Sequence, residues 1–270
     1  MKRYVPLGLA TFCLAIFVYQ GVVRALLYPL IMLPSVPGGI HALTLILMLF
    51  SFFHAWHALG WRHTLVFFVL SGVISWGFEQ IGVETGLIYG PYHYTEALGI
   101  KLGHVPLLIP LAWFMMIYPS YVIANLIAEG RPTGSRGSLG RIVWLAFLSG
   151  IVMTAWDLVM DPLLSGVLMK AWVWERGGPY FGVPVQNFVG WMLTTFTVYL
   201  VYRLFERAVT PRPVDSVTVT IAAMPLVAYG AMMLSYMMSG LPEALNVIAP
   251  FVMGLPLAAA FDRLSRPDRF

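Results

Sequence analysis

The sequence has few charged residues and almost no cysteine. Only 10% of its 270 residues are Asp, Glu, Lys or Arg, whereas 59% are apolar; a typical soluble domain has roughly 25% charged residues. The single cysteine, Cys13, excludes a disulfide framework and a metal site built from several cysteines. The sequence also lacks a phosphate-binding glycine loop, an HExxH motif and a nucleophile elbow, which argues against the enzyme classes that depend on them.

Long apolar segments recur along the whole chain, and the mean hydropathy is +0.80. Most of these segments reach the roughly 20 residues that a helix needs to cross the hydrocarbon core of a bilayer. The sequence therefore predicts an all-α fold, a polytopic membrane helical bundle of about eight transmembrane helices, with seven possible, in a single integral membrane domain over residues 1–270. The predicted segments are about 5–24, 39–60, 64–86, 105–128, 141–164, 184–206, 216–238 and 244–262.

The basic residues indicate an orientation in the lipid bilayer. With the N-terminus inside, twelve of the 16 Lys and Arg residues fall in inner segments, which favours a cytoplasmic-membrane protein with both termini in the cytoplasm. Because these residues are scattered in short loops, the net charge of +4 reflects topology and does not indicate nucleic-acid binding. The outer loops 87–104 and 165–183 are rich in aromatic residues, and Trp172 and Trp174 are typical of an interfacial belt.

Four acidic residues lie within predicted membrane segments: Glu79, Glu84, Asp157 and Asp161. A carboxylate at this depth costs roughly 2.5–3.5 kcal/mol on insertion scales, so each is a candidate functional residue. Asp157 and Asp161 are four residues apart and share one helix face. Glu79 and Glu84 lie about 140° apart around a helix, so both reach one site only if the helix breaks, for example at Gly82.

The two acid pairs are predicted to lie at the same depth. Both of their segments run outward, and both pairs fall in the outer half. The sixth segment begins on that side and brings Gln186, Asn187 and Trp191 to a similar level. We therefore expect a polar site inside the bundle; the alternative is that these groups bond one another only to fix helix packing.

The chemistry of such a site leaves several functions open. Removal from water favours the neutral form of a carboxylic acid, which can then act as a general acid. Protonation of a terminal trisubstituted alkene gives a tertiary cation, which aromatic faces stabilise; water then gives an alcohol, or an internal double bond gives a ring. The DxxxD spacing of Asp157 and Asp161 is also found in Mg²⁺-dependent prenyltransferases, although a second aspartate-rich motif is missing and few cations lie outside.

Several stretches resemble the carotenoid biosynthesis family: GFEQIGVETGLIYGPYHY at 77–94, GHVPLLIPLAWFMMIYPSY at 103–121, DLVMDP at 157–162 and GGPYFGVPVQNFVGW at 177–191. The resemblance covers roughly residues 75–205. It implies a carotenoid 1,2-hydratase, a hydro-lyase that adds water without a cofactor to the terminal double bond of an acyclic carotenoid of the lycopene type. Association with other enzymes of the same pathway is a further expectation.

The physical argument assigns roles to ten residues, with no metal site. Asp157 or Glu79 is the expected proton donor, and Asp161 and Glu84 position the donor or the attacking water. The amides expected to orient the water are Asn187 and Gln186. The aromatic residues expected to line the end of the polyene are Tyr89, Tyr92, Trp156 and Trp191. The alternatives are a membrane carotenoid cyclase, a Mg²⁺-dependent prenyltransferase and a non-catalytic carotenoid- or quinone-binding protein.

Overall fold

The computed structural model describes residues 4–134, 137–167, 169–209, 217–240 and 242–266. Within these ranges eight helical segments are long and apolar enough to cross a membrane, which confirms the predicted helical bundle. They are Tyr4–Leu27, Gly39–Leu59, Trp61–Thr85, Leu108–Glu129, Leu139–Leu164, Val185–Ala208, Val219–Met237 and Leu245–Leu264. Five basic residues used for the predicted orientation lie outside the described residues: Lys2, Arg3, Arg136, Arg212 and Arg269.

The first and last segments each contain a π-helical turn. The first consists of α1 (Tyr4–Val18), a π turn (Tyr19–Val23) and α2 (Arg24–Leu27). The next six segments are single helices: α3 (Gly39–Leu59), α4 (Trp61–Thr85), α5 (Leu108–Glu129), α6 (Leu139–Leu164), α7 (Val185–Ala208) and α8 (Val219–Met237). The last consists of α9 (Leu245–Ala249), a π turn (Pro250–Gly254) and α10 (Leu255–Leu264). Such turns weaken the regular hydrogen-bond ladder and are frequent near functional sites.

Helix α5 lies at the centre of the bundle. Every residue from Trp113 to Leu126 on this helix is buried, and α3, α4, α6, α8 and α10 pack against it. A helix that is apolar all round is expected in such a position, because none of its faces meets solvent. The carboxylate-bearing helices α4 and α6 are therefore held on either side of one rigid element.

Helix α4 is continuous past both of its glutamates, which corrects the predicted break near Gly82. The helix ends only at Gly86, whose φ of 65° is the left-handed conformation that commonly terminates helices. Gly82 has a different role, because a Cβ at this position would lie 2.6 Å from Cδ2 of the Tyr89 ring. The glycine therefore allows the following loop to pack closely on the helix.

The two outer loops form a small β-ribbon that the sequence did not predict. Strand β1 (Tyr92–Tyr94) pairs antiparallel with β4 (Trp172–Trp174), and a second ribbon joins β2 (Lys101–Leu102) to β3 (Val105–Pro106). In the first ribbon Tyr92 lies opposite Trp174 and Tyr94 lies opposite Trp172. Alternate residues of a strand point to the same face, so these four aromatic side chains share one face of the ribbon.

Candidate active site

Glu79 lies at the centre of a buried group of hydrogen-bond donors. Its carboxyl group is on α4 and only 4% exposed. The hydroxyls of Tyr92 and Tyr94 donate to its Oε2, the second at 2.8 Å, and Nε1 of Trp113 on α5 donates to Oε1 at 3.1 Å. Burial, followed by the nearby Glu79 carboxylate, raises the pKa of Tyr92 and Tyr94 well above the ordinary value of a phenol. Both tyrosines therefore keep their hydroxyl protons.

The two aspartates of α6 are joined by one amide. Nδ2 of Asn187, at the start of α7, donates to Oδ2 of Asp157 and to Oδ2 of Asp161, each at 2.8 Å. An amide nitrogen carries two hydrogens, so Asn187 serves both carboxyl groups at once. The remaining oxygens differ: Oδ1 of Asp161 accepts from Nε1 of Trp172 (3.0 Å) and of Trp174 (3.1 Å). Oδ1 of Asp157 is buried without a hydrogen-bond partner among the described residues.

The β-ribbon connects these two centres. Tyr92 and Tyr94 on one strand reach Glu79, while Trp172 and Trp174 on the other reach Asp161. The cross-strand rings are in contact, with 5.0 Å between the centroids of Tyr92 and Trp174 and 6.1 Å between those of Tyr94 and Trp172. Such pairs stabilise a ribbon by roughly 0.2–1 kcal/mol each. The pairing of the two strands therefore fixes the positions of the tyrosines that donate to Glu79 relative to the tryptophans that donate to Asp161.

A cavity of about 470 Å³ extends from this cluster. Glu79, Asp161 and Asn187 line its buried end, whereas Asp157 does not reach it. Most of the remaining wall is apolar or aromatic, and among the described residues the lining contains no Lys, Arg or His. The site thus combines carboxyl groups with a hydrocarbon-lined space, which suits an apolar ligand better than an anion.

Tryptophans form one wall of the cavity near Glu79. The rings of Trp113 and Trp191 are stacked with 4.1 Å between centroids, and Trp156 meets Trp191 edge-on at 5.7 Å. All three line the cavity. Because aromatic faces attract cations, this wall can stabilise a positive charge that develops on a ligand beside Glu79.

The structure brings together most of the residues predicted from the sequence. The ones that line the cavity are Glu79, Asp161, Tyr89, Tyr92, Trp156, Asn187 and Trp191. Asp157 lies behind them and contacts the cavity residues through Asn187.

Two predicted residues lie outside this cluster. The Glu84 carboxylate is about half exposed; it accepts from Nε2 of Gln80 at 2.6 Å and lies 3.8 Å from Nε2 of His104. The continuous helix turns Glu84 away from the Glu79 face. Gln186 is exposed and donates to the backbone carbonyls of Gly86 and Leu87, so it ties α7 to the end of α4.

Four residues of the cluster were missed: Tyr94, Trp113, Trp172 and Trp174. The alternating YHY and WVW triplets in the two loops are a period-two pattern typical of strands, and they could have indicated the ribbon. Trp113 gave no comparable signal, since its neighbours on α5 are uniformly apolar. Within the described residues no group of three His, Cys, Asp or Glu side chains is placed to bind a metal ion.

The fold and the cluster define a multi-pass membrane protein with a buried acidic site at one end of its helical bundle. Residues 39–260 match the carotenoid biosynthesis protein family, and the chain belongs to that family. It is 32% identical over 136 residues to the bisanhydrobacterioruberin hydratase of Haloarcula japonica. This match covers 50% of the chain and 43% of the relative, so the chain spans less than half the length of that protein. No solved structure shows significant similarity to the chain.

Proposed function

We propose that this protein is a carotenoid hydratase that adds water to the terminal 1,2 double bond of an acyclic carotenoid end group. The observation that carries the proposal is that the buried residues Glu79 and Asp161 line a cavity whose wall is otherwise mostly apolar or aromatic. The 32% identity over 136 residues to a bisanhydrobacterioruberin hydratase supports it. In this proposal the protein lies in the cytoplasmic membrane with both termini in the cytoplasm.

The hydrogen-bond partners of the two cavity carboxyl groups support different protonation states in this proposal. The partners of Asp161 are N–H groups of Trp172, Trp174 and Asn187, which can only donate, and they therefore stabilise an ionised carboxylate. Two partners of Glu79 are hydroxyls, which can accept as well as donate, so their contacts persist when Glu79 carries a proton. Such a division of roles between neighbouring carboxyl groups is common in acid catalysis.

Glu79 is the proton donor in this mechanism. Its proton and the π electrons of the terminal alkene form a C–H bond at the less substituted carbon, which leaves a tertiary cation on the adjacent carbon. The Asp161 carboxylate and the wall formed by Trp113 and Trp191 lower the energy of that cation. The oxygen of a water molecule then forms the C–O bond, and the proton that this oxygen loses returns to the Glu79 carboxylate.

Asp157 has a supporting role. It lies outside the cavity, and its unpartnered oxygen can hold a proton without the loss of a hydrogen bond. A neutral Asp157 avoids a second negative charge beside the ionised Asp161, in a region whose cavity lining, as described, carries no cation. It then holds Asn187 in the orientation that serves Asp161.

The test is the expression of wild-type protein and of Glu79→Gln in a host that makes lycopene. Wild-type protein is expected to give a product heavier by the mass of water, and Glu79→Gln is expected to reduce it by about 100-fold or more, since a general acid contributes roughly 10²–10⁴ in rate. Glu96→Gln is the matched control, because the side chain of Glu96 is 89% exposed and pairs with Lys101 at the surface. Undiminished hydration by Glu79→Gln would remove Glu79 from the mechanism.

The same acid could instead start a cyclisation, which is the second candidate because it requires the same cavity carboxyl groups. Its product would have the mass of the substrate, so mass spectrometry separates the two reactions. A Mg²⁺-dependent prenyltransferase is less well supported, since a diphosphate would meet no basic side chain among the described cavity residues, and the oxygens of Asp161 already accept three N–H bonds.

A further inference from the structure

The cavity reaches the surface on helices other than those that carry its carboxyl groups. Three exposed residues of the lining mark this mouth: Ala25 on α2, Gly39 at the start of α3 and Ser239 just after α8. A fourth exposed lining residue, Met169, lies in the loop after α6. Inside, the cavity ends at the buried residues Glu79 and Asp161.

Small residues surround the mouth and the wall just inside it. Besides Ala25, Gly39 and Ser239, the lining includes Gly21 in the first π turn and Ser235 on α8. A Cβ at Gly21 would lie 3.4 Å from that of Ser235, so the two helices are already in contact there. Gly21 and Ser235 therefore let the first π turn and α8 approach closely on this side of the cavity.

The surface beside the mouth is apolar. Large side chains directly after Ala25 are strongly exposed: Leu26 is 61%, Leu30 is 79% and Met32 is 91% exposed. Ala25 and Leu26 belong to the first membrane-spanning segment, whereas Leu30 and Met32 lie in the loop that follows it. Exposed residues of a membrane-spanning segment face lipid, so the α2 side of the mouth borders the bilayer at the end of that segment.

The wall on this side comes partly from the N-terminal helices. Phe17, Gln20 and Gly21 line the cavity, yet they precede the residues 39–260 that match the family. No residue of the π turn or of α2 is buried, whereas Phe17 on α1 is.

We propose that an acyclic polyene enters end-first from the bilayer through this mouth, between α1–α2, the start of α3 and the end of α8. This inference rests on the proposed function and adds the route of the substrate. A cavity of 470 Å³ lies in the lower half of the range for small-molecule sites, about 300–1,000 Å³. It holds the end of a carotenoid while the rest of the polyene extends through the mouth into lipid.

The experiment narrows the mouth and compares two substrates. Ala25→Trp and Ser239→Trp place a large side chain at the mouth from opposite sides, at exposed positions where little packing is lost. Leu26→Trp is the matched control, because Leu26 adjoins Ala25 but does not line the cavity. The substrates are lycopene and a short acyclic isoprenoid with the same terminal double bond, which fits wholly inside.

In each mouth variant, the ratio of lycopene turnover to short-substrate turnover is expected to be at least about tenfold lower than in Leu26→Trp. The reason is that only the long substrate must keep its chain in the mouth during the reaction. A lycopene-to-short-substrate ratio equal to that of Leu26→Trp would overturn the proposed route, whether both activities persist or both fall. Elution and unfolding temperature in detergent identify variants that fold. If wild-type protein hydrates neither substrate, the proposed function itself fails.

Discussion

Gly82→Ala tests how the loop that carries the tyrosines is seated on α4. A Cβ at Gly82 would lie 2.6 Å from Cδ2 and 3.0 Å from Cε2 of Tyr89, so the ring must move by several tenths of an ångström. Overpacking of this kind costs about 1–3 kcal/mol. Gly77→Ala is the matched control on the same helix, because its Cβ would meet nothing within 4 Å. Gly77→Ala should be stabilised by about 0.5–1 kcal/mol, because alanine is preferred over glycine within a helix.

The difference between the two variants isolates the contact with Tyr89. We expect Gly82→Ala to be less stable than Gly77→Ala by about 1–3 kcal/mol, measured as unfolding midpoints in detergent. It should also hydrate more slowly, since Tyr89 is three residues before Tyr92, which donates to Glu79. Tyr89→Leu removes the ring and should relieve most of the penalty. Equal midpoints for the two glycine variants, or an undiminished penalty in the Tyr89→Leu background, would refute the reasoning.

Two further predictions concern single hydrogen bonds. Trp174→Phe keeps a ring on the ribbon but removes one N–H bond to the Asp161 carboxylate. Because a hydrogen bond to a charged group contributes about 1.5–3 kcal/mol, turnover should fall about tenfold or more. Unchanged turnover in a kinetic assay would contradict an ionised Asp161. Tyr121→Phe removes a buried hydroxyl that donates to Glu206 at 2.6 Å and accepts a backbone N–H bond. Tyr121→Phe should lower the free energy of unfolding by about 1–3 kcal/mol and leave turnover intact. The control Tyr28→Phe, at a 60% exposed position, should change neither. Equal unfolding midpoints for the two variants would show that the buried hydroxyl contributes nothing to stability.

The helices could be predicted from the sequence because membrane insertion imposes a simple rule. A span must be predominantly apolar over about 20 residues, and Gly39–Leu59, which contains no Asp, Glu, Lys or Arg, satisfies this rule. The π turns could not be predicted, because no pattern in a sequence such as Tyr19–Val23 distinguishes a π turn from an α-helical one. The pairing of the two outer loops depends on contacts between residues about 80 positions apart, which no local pattern specifies.

Depth in the membrane was the useful guide to the site. Glu79 and Asp161 lie toward the C-terminal ends of α4 and α6, Asn187 lies at the start of α7, and all three line one cavity. The same reasoning gave Glu84 too much weight, because depth alone ignores the direction in which a residue faces on its helix. Gly82 was interpreted as a point of flexibility, whereas its lack of a side chain permits close packing of Tyr89.

The tryptophans show why an aromatic loop is ambiguous in a membrane protein. Trp172 and Trp174 have the composition and location of an interfacial belt. Their indole N–H groups nevertheless point inward to Asp161, because the strand pairing turns that face of β4 toward the bundle. The composition of the loops indicates where such residues lie relative to the bilayer. Only the pairing of β1 with β4 determines which way their side chains face.

The most direct test of the proposed mechanism is a reaction of purified protein with lycopene in deuterated, heavy-oxygen water. Acid-catalysed hydration predicts a tertiary alcohol with one non-exchangeable deuterium on the carbon beside the carbinol and a heavy oxygen from the solvent. The Glu79→Gln protein should form little or none of it. A deuterated product without added oxygen would identify a cyclase, and an alcohol without carbon-bound deuterium would contradict proton transfer to the alkene.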